Sequence, residues 1–130
     1  VLRQVFKELA GKNNAVFLGR GGCHILKGYK NALHVRIIAE YEDRLEHVIK
    51  EEMEGGRFYD SNYKAGESHT DDEQRAEKLI HDWDTASSNF ISDFFDSDWN
   101  DPHNYDLVLN TSKIKPDNCV SILENILKNL

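Results

Sequence analysis

At 130 residues the chain is long enough for one domain or part of one. Its 16 Lys+Arg against 23 Asp+Glu leave a net charge of −7, which argues against a sequence-independent nucleic-acid binder resting on basic phosphate contacts. A single small anion held by a few local cations stays possible. Hydrophobic residues make up 39%, enough to expect a core rather than disorder. No apolar run approaches the ~20 residues that span a bilayer, and Val1–Phe6 lacks the pattern of a signal peptide. Cys23 and Cys119 are too few for a disulfide framework. Two free thiols in a cytoplasmic protein, with no membrane and no nucleic-acid partner, is the expectation.

In chain order, Val1, Leu2, Val5, Phe6 and Leu9 recur at helical spacing and Gly11 follows as a stop. Ala15-Val16-Phe17-Leu18 is a short apolar run that reads as a buried strand. Gly19-Arg20-Gly21-Gly22 is a glycine-rich turn, and a short helix is expected from Cys23 to Leu26. His34–Ala39 reads as a second strand. Glu42–Met53 reads as a helix with Leu45, Val48, Ile49 and Met53 on one face. Residues 55–66 are polar and irregular and read as a mobile loop. Thr70-Asp71-Asp72-Glu73 has the capping-box pattern, so a long helix should follow, with Ala76, Leu79, Ile80, Trp83, Phe90, Ile91 and Phe94 inward. Asp101-Pro102 should end it. Leu107-Val108-Leu109 reads as a third strand. Pro116 fits the first turn of a last helix, whose inner face is Ile122, Leu123, Ile126, Leu127 and Leu130. Alternating strands and helices predict an α/β fold with a parallel sheet and crossovers.

Ligands of such sheets sit beyond the carboxyl ends of the strands. Three segments qualify: Gly19–Gly22, Ala39–Arg44 and Asn110-Thr111-Ser112. In the first, glycines permit close approach and Arg20 can fork onto a phosphate or carboxylate. Arg44 could swing to the same strand ends, or pair with a nearby acid such as Glu40. Residues 79–112 contain no Lys or Arg but hold Asp82, Asp84, Asp93, Asp96, Asp98, Asp101 and Asp106. Asp96–Leu107 lacks the glycine and glutamate of an EF-hand loop, so a solvated acidic face is expected and no metal site. The six histidines lack zinc-helix spacing. A phosphate-binding P-loop, Gly-x-x-x-x-Gly-Lys-Ser/Thr, is absent: Asn13 follows the only Gly-Lys pair, Gly11-Lys12, and Phe6 stands where the first glycine belongs.

Three blocks in this order resemble the cytidylate kinase-like family of nucleoside monophosphate kinases. They are Ala15–Gly21, then Ala39-Glu40-Tyr41-Glu42-Asp43-Arg44-Leu45, then the stretch from Trp99-Asn100-Asp101-Pro102 to Asn110-Thr111-Ser112. The last is the most specific. The resemblance implies a three-layer parallel sheet with crossover helices and a helical lid at about 55–95. It covers most of residues 1–130 as a single partial domain, without the P-loop and its strand. It further implies phosphoryl transfer from ATP, with Mg²⁺, to a nucleoside monophosphate, by positioning phosphates and neutralising charge. Gly19, Arg20, Gly21 and Gly22 match the family's monophosphate-facing turn, Arg44 a helix arginine, and Asp84 a lid aspartate. Gly21 stands where cytidylate kinases carry an acid. Thr85, Ala86, Ser87 and Ser92 stand where the lid would carry arginines. The 130 residues alone are therefore expected to be inactive as a kinase, with no catalytic residue assigned. A non-catalytic nucleotide- or anion-binding module and an acidic protein-interaction domain are the alternatives. The nucleoside and the oligomeric state are not legible.

Overall fold

The computed structural model describes residues 1–12, 14–53 and 69–130, so the expected loop at 55–66 lies outside the described residues. The elements are α1 (Leu2–Ala10), α2 (Gly22–Ile25), β1 (Val35–Ile38), α3 (Tyr41–His47), a π-helical segment (Val48–Met53), α4 (His69–Phe95), a 3₁₀ turn (Pro102–Asn104), β2 (Leu107–Asn110) and α5 (Pro116–Leu127). This is a mixed α/β chain around one parallel pair. β1 and β2 lie side by side in the register Val35↔Leu107 to Ile38↔Asn110. Parallel strands cannot be joined by a tight turn, and here the crossover runs through α3 and α4.

Two apolar clusters hold these elements. Phe6, Ile25 and Leu26 form the first, joined by Ala10, Phe17 and Phe95. Phe6 and Phe17 stack with centroids 4.5 Å apart. Val48, Ala76 and Ile80 form the second, flanked by Leu45, Ile49, Leu79 and Trp83. It fastens α3 and the segment after it to α4. Burying an Ile or Leu fully is worth roughly 1.5–3 kcal/mol, so each small cluster contributes a substantial share of a domain's net stability.

Arg36, the charged residue of β1, supplies a third tie. Its guanidinium donates to the Trp99 carbonyl, to the Tyr105 hydroxyl at 3.1 Å and to Asn100 Oδ1 at 2.9 Å. It also lies 4.1 Å from the Trp99 ring centroid. The chain leading into β2 is thereby pinned to β1, and His34 N–H donates to Asp106 Oδ2 at 2.8 Å at the start of the pair.

Several expectations need correction. Ala15–Leu18 is not a strand: it has no strand partner among the described residues, and Val16 and Leu18 are each 88% exposed. Only Phe17 is anchored, by Phe6. The described sheet therefore has two strands rather than three. The helix expected over Glu42–Met53 changes to π-type hydrogen bonding at Val48. α4 begins at His69, one residue before the expected cap. It ends at Phe95, because Asp96 turns left-handed with φ 49°. Pro116 does open α5, but Leu127 and Leu130 are exposed and Cys119 is the buried residue of that helix.

Candidate functional site

The carboxyl ends of β1 and β2 are tied by polar groups that the strand-end segments supply. Thr111 N–H donates to the Ile38 carbonyl at 2.9 Å. The Ser112 hydroxyl accepts from Glu40 N–H at 2.8 Å, and Asn110 Nδ2 donates to Glu40 Oε1 at 3.3 Å. Glu40 is the residue before α3. These links fix where α3 starts relative to the sheet, and with it where Arg44, in the last turn of α3, is presented.

Beyond those strand ends opens a cleft of about 640 Å³, within the range of small-molecule sites. Arg44, His47 and Trp83 line it together with Thr111, Ser112 and Pro116. Arg44 is the fixed cation of this cleft. It donates through both terminal nitrogens to Asp84 of α4, at 2.8 and 2.7 Å. Those hydrogen bonds from Asp84 raise the Arg44 pKa above its ordinary value, so the guanidinium stays charged. Roughly a third of each side chain is exposed (34% and 37%). The even choice the sequence left for Arg44 therefore has both halves: it faces the strand ends and it is paired, with Asp84 rather than Glu40.

The glycine turn lies elsewhere. Gly19, Arg20 and Gly21 have φ of 65°, 56° and 71° in succession. Arg20 in the left-handed region costs on the order of 1 kcal/mol, the kind of strain that marks a constrained turn. Among the described residues its exposed side chain has no hydrogen-bond or ion-pair partner. Gly21 packs against Phe95 so tightly that a Cβ there would stand 2.3 Å from the ring. A side chain at position 21 would therefore require the Phe95 ring to move. Phe95 lies eleven residues beyond Asp84 on α4, roughly 16 Å along the axis by helix rise. The structure accordingly brings Arg44 and Asp84 together and keeps Gly19–Gly22 apart from them.

A family model for the cytidylate kinase-like family matches residues 1–113. The chain belongs to the cytidylate kinase-like family. The match covers both strands, the glycine turn, Arg44, Asp84 and the Trp99–Ser112 stretch, and leaves α5 outside. No curated protein matches this cytidylate kinase-like chain. Among its described residues no helix is long and apolar enough to cross a membrane.

Two participants were not legible as such. Arg36 is a lone charge in an apolar strand, and its partners lie more than 60 residues away. Trp83 reads from periodicity as one more inward residue of α4, yet it also walls the cleft. Neither cysteine is in a disulfide, and burial pushes the Cys23 thiol up, away from a reactive thiolate. Among the described residues no three His, Cys, Asp or Glu side chains group to hold a metal ion.

Proposed function

We propose that this domain is the monophosphate-binding part of a nucleoside monophosphate kinase-like protein. The bound nucleotide sits in the cleft beyond β1 and β2, with its phosphate on Arg44. The observation that carries the reading is the position of one charged, two-pronged guanidinium at the carboxyl ends of adjacent parallel strands, in a chain of this family. That is where ligands of open α/β sheets bind, and a guanidinium fork matches phosphate geometry. Ser112 lines the same cleft, its hydroxyl accepting from Glu40 N–H, while the Thr111 hydroxyl already donates to the Ile38 carbonyl at 3.2 Å. In the reading's fuller form, phosphoryl transfer from ATP to the monophosphate takes place on a three-layer sheet of the family type. Gly19–Gly22 then serves as a second anion contact, brought in when the domain closes. The 130 residues have no P-loop of their own, so the nucleotide triphosphate side of the reaction is not built from them.

Asp84 occupies the Arg44 fork, so a phosphate must share or displace it. Binding is then weak but specific for Arg44. Calorimetry with CMP on the whole chain tests this. Arg44→Ala should weaken binding at least tenfold, as expected for a lost charge-assisted hydrogen bond. Unchanged affinity in a folded Arg44→Ala variant refutes the reading.

A further inference from the structure

We infer that Asp84 is a built-in competitor for the Arg44 guanidinium, an acid for which an incoming phosphate must exchange, and not itself a ligand contact. This deepens the reading above and rests on it. Asp84 takes one hydrogen bond from each terminal nitrogen of Arg44, at 2.8 and 2.7 Å. That is the two-pronged geometry in which a guanidinium grips a phosphate. Arg44 lines the cleft and Asp84 does not, so the acid grips the arginine from outside the lining. An ionised carboxylate only accepts hydrogen bonds, as a phosphate dianion does. The two cannot bond to each other, and their charges repel. They can only compete for the same donors.

The exchange is close to balanced. Each side chain is about a third exposed, and an ion pair so placed is worth no more than a few-fold in an equilibrium. Breaking it strands no charge away from water, which is what makes buried pairs hard to open. The Thr111 hydroxyl is already committed to the Ile38 carbonyl, so possession of Arg44 decides the affinity. The fold does not depend on the pair either. Val48, Ala76 and Ile80 fasten the segment after α3 to α4, so an anion can take the arginine while both helices stay in place. The chain keeps Asp84 beside Arg44 at a high effective concentration, and the acid returns whenever the anion leaves. The site is thus self-neutralised without ligand and binds only an anion strong enough to exchange.

Calorimetry on the whole chain tests this, with CMP and inorganic phosphate as separate probes. The proteins are the wild type, Asp84→Asn, Asp84→Ala, and Asp84→Asn combined with Arg44→Ala, each checked for folding by a thermal melt. Asp84→Asn keeps the shape of the side chain and removes its charge. Both single variants should bind both probes about three- to fivefold more tightly, the worth of an exposed ion pair. The gain should shrink with added salt and vanish when Arg44 is replaced. Unchanged or weaker affinity for both probes overturns the proposal, weaker affinity marking Asp84 as a positioning residue for Arg44. Weaker CMP binding with phosphate unaffected overturns it in favour of a sugar contact. Each of these results leaves the Arg44 anchor standing. Failure of both probes to bind wild type and Asp84→Asn alike overturns the functional reading itself and this inference with it.

Discussion

Gly21→Ala isolates the contact that fixes the glycine turn against α4. Two costs add. The residue has φ of 71°, and placing an L side chain in the left-handed region costs roughly 1–2 kcal/mol. The new Cβ would also stand 2.3 and 2.5 Å from two Phe95 ring carbons. Relieving such overpacking typically costs a further ~1–3 kcal/mol. A smaller unfolded-state entropy returns less than about 1 kcal/mol. The net loss is about 2–4 kcal/mol, which for a domain of this size lowers the Tm by on the order of 10 °C. Gly28→Ala is the control: φ is 86° and nothing lies within 4 Å of its Cβ, so only the conformational cost of about 1 kcal/mol applies. Phe95→Leu in the Gly21→Ala background should recover the packing share. Thermal or urea unfolding of the wild type and these three variants measures all of this. Equal losses for Gly21→Ala and Gly28→Ala, or no recovery with Phe95→Leu, refute the Phe95 contact.

Three further outcomes follow from the same structure. A double-mutant cycle on Arg44→Ala and Asp84→Ala should give a coupling of about 1 kcal/mol, at the upper end of exposed pairs because the geometry is bidentate. It should shrink with added salt, and a salt-independent value contradicts it. Arg36→Met should cost about 2–4 kcal/mol in urea unfolding through the lost contacts to Trp99, Asn100 and Tyr105. Arg36→Lys should not restore them, because an ammonium lacks the planar fork. The His24 imidazole should titrate below its ordinary range in an NMR pH series. Burial first, then the nearby Lys27 and His34, lowers its pKa, and its Nε2 is buried without a partner beside the Phe95 ring. A lowered histidine pKa means that the unfolded chain binds the proton more readily. His24's contribution is therefore full above about pH 6.5 and lost as pH falls through the folded value. His24→Phe should flatten that acid-side loss, and an unchanged pH profile would count against it.

What the sequence revealed is what short-range patterns encode. The 3–4 spacing of Ala76, Leu79, Ile80 and Trp83 gave α4, Pro116 gave the start of α5, and the apolar runs at Val35 and Leu107 gave both strands. The three strand-end segments included the two that line the cleft. Ala15–Leu18 failed because an apolar run becomes a strand only when another strand pairs with its backbone, and a run carries no information about its partner. Arg44 was recognisable as a candidate, but the Asp84 carboxylate that holds it lies 40 residues on. Arg36 was invisible for the same reason. Salt bridges and cation–π stacks between distant segments leave no periodic trace. The family resemblance supplied Asp84, whose role periodicity does not single out.

The central claim is that the cleft at the strand ends, not the glycine turn, takes the monophosphate first. A CMP titration followed by ¹H–¹⁵N correlation spectra of the whole chain tests it most directly, since the two sites are roughly 16 Å apart along α4 by helix rise. Saturable shifts are expected at Thr111, Ser112, Arg44 and Trp83, abolished in Arg44→Ala and preserved in Arg20→Ala. Shifts confined to Gly19–Gly22 and abolished by Arg20→Ala would contradict it and move the anion site to the C-terminal end of α4.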